Sequence, residues 1–268
     1  MRDLKELSIL VRGAGEMATG VACRLARSHF RVCLTEIAQP QAVRREVSFC
    51  EAVYDGVKSV EEITARLITD ASQIGPTWAK GELPLLVDPE SEVRRTLRPD
   101  VVVDAILAKR NLGTCIDWAP LVIGLGPGFC AGRDVHVVVE TNRGHNLGRL
   151  FYEGEAEPNT GVPGNIGGYA EERVLRAPHE GVFRYGGRGI GDVVGAEEAV
   201  AYVGPDPVLA SITGVLRGLL REGIPVHRGM KVGDVDPRAT RDNCYTVSDK
   251  ARAIAGGVLE GIMFSFNR

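Results

Sequence analysis

The chain has 268 residues, enough for one large or two modest domains, each with its own hydrophobic core. A net charge of −3 gives no general attraction to nucleic acid or to anionic membranes. No signal peptide or bilayer-spanning apolar run is visible, and the six cysteines form no C-x-x-C pair. These features predict a soluble, reduced, cytoplasmic protein without a metal site.

The segment 7–36 has the order of a mononucleotide-binding β-α-β unit. A short apolar strand ends in a glycine turn, a helical pattern follows, and a second apolar strand ends in an acid. The glycines permit a sharp turn and close approach to a phosphate, which the N–H groups at the helix start then face. The terminal acid suits ribose hydroxyls, which favours NAD or another nucleotide with a free diol over NADP. An ordinary glycine turn is the alternative. The predicted cofactor contacts are Gly13, Ala14, Gly15, Glu16, Met17 and Glu36.

Further apolar runs predict buried strands at 83–87, 101–107, 121–123 and 135–139. Residues 41–53 are predicted as helix or irregular structure, and the apolar spacing over 59–68 predicts a helix. The alternation of strands and helices indicates an α/β fold with a Rossmann-like, doubly wound, mainly parallel sheet of about six strands. We place this nucleotide-binding domain at residues 1–155.

Glycine turns and polar side chains follow the predicted strands, and ligands of parallel sheets bind beyond the carboxyl ends of strands. The acid–base candidates are Asp104, Lys109 and His145. Their alternatives are a helix cap or turn former, a solvated ammonium and a structural hydrogen bond, respectively. We predict substrate contacts at Asn111, Asn142 and Arg143.

Two other features of this edge have a functional and a plain interpretation. Gly126 and Gly128 lie in a glycine-rich turn that is either a second anion-binding nest or an ordinary loop. Cys50 and Cys130 are either activated thiols or buried inert ones.

Residues 156–172 are a connection rich in glycine and proline, and residues 173–240 contain an internal repeat. The pattern of 177–184 recurs at 210–217, which predicts a pseudo-symmetric antiparallel β domain resembling the barrel-sandwich hybrid of biotinyl and lipoyl domains. A carrier domain of that kind needs a lysine at the tip of its central hairpin, and no lysine occurs between Lys109 and Lys231. In the last segment, 241–268, Ser248 is predicted to cap a C-terminal helix.

Several long strings carry a resemblance to a known family over nearly the whole chain. They are V-R-G-A-G-E-M-A-T-G (11–20), T-E-I-A-Q-P (35–40), V-S-F-C-E-A-V-Y-D-G (47–56), D-A-I-L-A-K-R-N (104–111), G-L-G-P-G-F (124–129), E-T-N-R-G-H-N-L-G-R (140–149) and G-D-V-D-P-R (233–238). The chain resembles the selenium-dependent molybdenum hydroxylase system proteins, the family often labelled YqeB. That resemblance implies a cytoplasmic accessory factor in the maturation of molybdenum hydroxylases that carry labile selenium.

Three functional hypotheses follow. In the first, a maturation factor binds a nucleotide-bearing ligand, either NAD or a nucleotide form of the molybdenum cofactor. Arg143 and His145 then hold the anionic ligand, and Cys50 or Cys130 carries a selenium or sulfur adduct. Its partners are a molybdenum hydroxylase or other maturation proteins, and a homo-oligomer is left open. The second is an NAD-dependent oxidoreductase with Lys109 or His145 as proton donor. The third is a non-catalytic nucleotide sensor.

Overall fold

A computed structural model describes residues 4–267 of the chain. These residues form two compact units: 4–40, 48–159 and 247–267 make the first, and 41–47 with 160–246 make the second. The predicted connection 156–172 and the predicted C-terminal segment 241–268 are therefore each divided between the units. Residues 41–47, which we predicted in the first domain, join the second because the carbonyl of Val43 accepts a hydrogen bond from the Leu219 N–H (2.9 Å).

The first unit is built on a nine-stranded, mostly parallel sheet. The strands of the unit are β1 (Ser8–Arg12), β2 (Arg31–Glu36), β3 (Val57–Val60), β4 (Ile63–Leu67), β5 (Leu83–Val87), β6 (Val101–Asp104), β7 (Leu121–Leu125), β8 (Cys130–Ala131), β9 (Val137–Val139), β10 (Leu150–Phe151) and β11 (Gly154–Glu155). The sheet order is β10-β9-β7-β6-β1-β2-β5-β4-β3, while β8 and β11 pair separately. Only the edge strands β3 and β10 are antiparallel to their neighbours.

Helices cover both faces of this sheet, so its central strands are apolar on both sides, as parallel strands require. The helices are α1 (Glu16–Arg27), α2 (Ala52–Asp55), α3 (Ile74–Ala79), α4 (Arg94–Leu97) and α5 (Asp249–Phe266). α1 and α5 pack together on one face, where Gly20 of α1 lies against Ala251 of α5. On the other face, Ile74 of α3 joins a cluster that includes Leu10 and Val102. No helix within residues 4–267 is long and apolar enough to cross a bilayer.

The helix predicted over 59–68 is wrong, because β3 and β4 form an antiparallel hairpin there. Its two turn residues, Glu61 and Glu62, have φ angles of +45° and +72°, which no continuous helix contains. The apolar spacing of Val60 and Ile63 matched a helix only because each faces the same side across a two-residue turn. Their β-branched side chains favour strands, and β4 extends the sheet beside β5.

The strand predicted over 101–107 ends early, at Asp104. A carboxylate oxygen of Asp104 accepts a hydrogen bond from the Ile106 N–H (3.2 Å), which turns the chain out of the sheet. Leu107 then has a φ of +60°, incompatible with a strand. The loop after β6 therefore begins three residues earlier than the apolar pattern predicts.

The second unit consists of two four-stranded antiparallel sheets. Its strands are β12 (Val174–Arg176), β13 (Gly181–Tyr185), β14 (Val193–Val194), β15 (Ala199–Val203), β16 (Asp206–Leu209), β17 (Gly214–Leu219), β18 (Pro225–Val226) and β19 (Lys231–Asp236). One sheet has the order β12-β19-β17-β14 and the other β16-β15-β13-β18. The positions of β12, β13, β14 and β15 in their sheets match the positions of β16, β17, β18 and β19, respectively, in the opposite sheets. The repeat predicted from the sequence is therefore present in the strand pairing.

Adjacent glycines in α5 provide a test of how tightly this helix packs. A methyl group on Gly257 would overlap the carbonyl oxygen of Gly148, whereas one on Gly256 would meet no atom within 4 Å. We expect Gly256→Ala to raise the free energy of unfolding by up to about 1 kcal/mol, through helix propensity. Gly257→Ala should lower it by about 1–3 kcal/mol, because of overpacking. Urea denaturation of both variants measures the difference, and equal stabilities would contradict this packing.

Candidate functional site

The glycine turn lies at the point where the strand order of the large sheet reverses. From β1 the chain proceeds to β2 and β5 on one side, and β6, β7 and β9 lie on the other. Gly13 follows β1 with a φ of +98°, and a Cβ there would lie 3.2 Å from the carbonyl carbon of Ala105, just after β6. A side chain at position 13 would therefore be strained and crowded. Ligands of open parallel sheets bind outside such a reversal point.

Glu36, at the end of β2, points towards this turn. One carboxylate oxygen accepts a hydrogen bond from the Ala14 N–H (2.9 Å), and the other accepts one from the Ile37 N–H (2.8 Å). Burial raises the pKa of Glu36 above its ordinary value, while these two hydrogen bonds oppose the rise. Each carboxylate oxygen has a second lone pair, so Glu36 retains capacity to accept hydrogen bonds from a ribose diol.

The space above Gly15 is open, since a Cβ at this position would meet no atom within 4 Å. Gly15 has a φ of −70° and precedes α1 without providing a side-chain cap. The first N–H groups of a helix have no partner within it, and the helix dipole makes this end favourable for anions. Of the other predicted contacts, Ala14 and Met17 are buried and Glu16 is half-buried.

Asp104 is committed to a buried ion pair. One of its oxygens lies 3.4 Å from a guanidinium nitrogen of Arg12 and 2.6 Å from the Thr114 hydroxyl. Asp104 and Arg12 are only 2% and 3% exposed. These contacts favour a structural role for Asp104, holding the loop after β6, over the predicted catalytic one.

The glycine-rich turn after β7 is filled by the protein itself. A Cβ on Gly126 would overlap the Thr141 side chain, and one on Gly128 would overlap the backbone of Arg110. The Gly126 N–H already donates to the Val139 carbonyl (2.9 Å). Close packing therefore accounts for both glycines, which favours an ordinary loop over a second anion nest.

The two cysteines predicted as candidate reactive thiols differ in burial. Cys50 is 1% exposed, and burial raises the pKa of its thiol well above the ordinary value, with Glu36 adding to the rise. A protonated, buried thiol is a poor nucleophile, which favours the interpretation of Cys50 as an inert thiol. Cys130 is half-buried in β8, and its reactivity stays a prediction.

The remaining predicted residues lie in the loops after β6 and β9. Lys109 and His145 are exposed. The Asn111 side chain both donates to and accepts from the backbone of Thr114 (2.8 Å each), which locks the loop and explains this residue without a substrate. The Asn142 amide donates to Glu157 (2.6 Å). Arg143 binds both carboxylate oxygens of an acid in α5, Asp249, at 2.7 and 2.9 Å.

Two residues of this edge were missed from the sequence. Glu140 is fully buried and accepts hydrogen bonds from the N–H groups of Thr141, Asn142 and Glu157 (2.6–2.8 Å), so it organises the loop after β9. Lys250, in the first turn of α5, is half-buried. Its signal in the sequence was a lysine, one of only six, two residues after a helix cap, where a cation is unfavourable. No group of three or more His, Cys, Asp or Glu side chains within residues 4–267 is placed to hold a metal ion.

The raised pKa of Glu36 generates a pH prediction. The pKa of Glu36 is higher in the folded state than in the unfolded state. Such a group contributes its full stabilisation of the fold at pH values below its unfolded-state pKa. That contribution is lost as the pH rises through its folded-state pKa. The free energy of unfolding of the wild-type protein should therefore fall as the pH rises between these two pKa values. Glu36→Gln should not show this fall. Urea denaturation of both proteins between about pH 4 and about pH 7 measures it. Parallel pH profiles would contradict the burial of this carboxylate.

Comparison with known proteins gives one strong sequence match. No protein-family model matches the chain. The chain is 48% identical over 255 residues, 95% of its length, to "Uncharacterized protein YqeB" of Escherichia coli (strain K12), but it spans only 47% of that relative. The apo structure of the ectoine utilization protein EutE (DoeB) from Ruegeria pomeroyi has 10% identity and a TM-score of 0.25, with 86% of each chain covered, and this weak likeness carries no argument. The sequence match supports the YqeB family name for the resemblance, and the relative's name assigns no activity.

Proposed function

We propose that this chain binds a nucleotide-bearing ligand at the carboxyl edge of its large sheet, in a Rossmann-like manner. The ligand class is NAD or a nucleotide form of the molybdenum cofactor. In keeping with the resemblance drawn from its sequence, we further propose that the chain acts as an accessory factor in the maturation of selenium-dependent molybdenum hydroxylases.

The observation that carries the proposal is the position of Glu36 beside the glycine turn. The hydrogen bond from the Ala14 N–H fixes the carboxylate next to the start of α1. A ribose whose diol meets Glu36 would thus place its phosphate near Gly15, where the space is open and the helix dipole favours an anion. The residues present fit a ribose with its phosphate. Glu36 can accept hydrogen bonds from the ribose hydroxyls, and the adjoining start of α1 at Gly15 is uncrowded.

The thiol part of the maturation hypothesis does not fit Cys50, whose sulfur is buried and whose pKa is raised. Any selenium or sulfur adduct would have to use Cys130. For the second unit we propose a barrel-sandwich-hybrid-like fold that binds a partner protein. Its hairpin between β15 and β16 carries Gly204 and Pro205 at the tip, so it has no lysine for a swinging cofactor.

Gly15→Val tests the nucleotide site. The φ of −70° at this position suits a residue other than glycine, and a Cβ there would meet no atom within 4 Å. We expect it to weaken binding of NAD about tenfold or more, because the side chain occupies the phosphate position and removes charge-assisted hydrogen bonds worth about 1.5–3 kcal/mol. Isothermal titration calorimetry on the whole chain measures the affinity, with ADP as a second probe.

Gly75→Val in α3 is the matched control, since a Cβ at Gly75 would also meet no atom within 4 Å. Unchanged affinity in Gly15→Val, or no binding of either nucleotide by the wild type, would refute the proposed site. Maturation is tested separately, by hydroxylase activity in a host that lacks its own copy of this protein and carries either variant. Consumption of NADH with candidate substrates would instead favour the oxidoreductase hypothesis.

A further inference from the structure

Three basic residues from separate segments lie at the edge of the sheet that carries the glycine turn. Lys109 lies in the loop after β6, Arg143 in the loop after β9, and Lys250 is the second residue of α5. Arg143 is bound to Asp249, the residue directly before Lys250. The charges of Arg143 and Lys109 both act on the ammonium of Lys250. We call these residues the cationic cluster.

The cluster is poorly neutralised by the protein. Arg143 is held by Asp249 through two hydrogen bonds, but the side chain of Asp249 is 69% exposed to solvent. The contacts among residues 4–267 include no hydrogen bond or ion pair to the ammonium of Lys109 or of Lys250. Two of the three cations therefore lack a direct anionic partner.

The acids that face Lys250 act on it only at longer range. Glu16, in the first turn of α1, and Glu140 both favour its charged form. Glu140 has its carboxylate engaged by three backbone N–H groups, so those interactions already stabilise its negative charge. Neither acid replaces a hydrogen-bonded counterion at Lys250.

The position of Lys250 is unfavourable for a cation in two further ways. It lies in the first turn of an 18-residue helix, where the dipole is positive. Burial and the charge of Arg143 lower its pKa. A local arrangement that opposes stability in several ways at once is typical of a site organised for a ligand. An anion placed here would relieve every one of these costs.

The packing of the helices places the cluster next to the proposed nucleotide site. Gly20 of α1 lies against Ala251, the residue after Lys250. Glu16 is one helical turn before Gly20, so the start of α5 lies about one helical turn from the start of α1. The loop that carries Lys109 begins at Ala105, which contacts Gly13.

We propose that the cationic cluster binds a phosphate or pyrophosphate group of the ligand, with Lys250 as its principal contact. This inference rests on the proposed function and deepens it, since it names the side chains that hold the phosphates. Lys250 then provides the charge, and Arg143, fixed by Asp249, provides a planar donor pair.

Inorganic pyrophosphate is the probe, because it contains the proposed anion without the ribose. We expect Lys250→Met to weaken pyrophosphate binding by about tenfold or more, as loss of a charge-assisted contact predicts. Lys250→Arg should retain most of the affinity. Lys80→Met, a change at an exposed lysine that ends α3, is the control and should bind as the wild type does. Isothermal titration calorimetry on the whole chain measures all four proteins.

Thermal unfolding without ligand separates ligand binding from a structural role. If Lys250 serves a ligand, Lys250→Met should have a Tm equal to or above that of the wild type, since it removes an unpaired cation. A lowered Tm, undiminished pyrophosphate binding in that variant, or absence of binding by the wild type would overturn the inference. Lys250-dependent binding of pyrophosphate without binding of NAD would refute only the nucleotide proposal. Binding of NAD that ignores Lys250 would refute only the cationic cluster.

Discussion

The hydrogen bond between the Ala14 N–H and the Glu36 carboxylate connects the ends of two neighbouring strands. It fixes the glycine turn after β1 relative to the end of β2, and its acceptor belongs to a half-buried acid whose pKa is raised. A carboxylate in this setting loses hydration, and only well-directed donors offset that cost. The turn provides one such donor, so the shape of the turn and the charge state of Glu36 are coupled. Everything that we propose about the ligand depends on this coupling.

A second constraint is the close approach of α5 to its neighbours. Gly20 admits Ala251 from α5, and Gly257 admits the carbonyl of Gly148. These contacts bring a helix from the far end of the sequence to the edge formed by β1, β6 and β9. Larger side chains at either glycine would separate α5 from α1 and from the loop that carries Arg143. Helix packing at small residues thus determines which charged groups meet at the site.

The central sheet was predictable because its strands are continuous apolar runs that end in glycine or acid. The position of Glu36 also followed from its spacing to the turn, since β-α-β geometry brings both to the same edge. The hairpin at β3 and β4 was missed because three apolar positions happened to have helical spacing, while two glutamates with positive φ gave no turn signal. Turn chemistry of that kind usually shows glycine, asparagine or aspartate.

Side-chain roles were harder to predict than strands, since they depend on partners distant in sequence. Asp104 looked catalytic at its strand end, yet Arg12, which is 92 residues away, neutralises it inside the protein. Lys250 shows the opposite case: the sequence placed it on an ordinary capped helix, and only the fold brings Arg143 and Lys109 towards it. The cation and the hydroxyl offset the desolvation cost of the buried aspartate, whereas like charges add to the desolvation cost of the half-buried lysine. This difference in charge balance is the reason that we assign Asp104 to the fold and propose a ligand for Lys250.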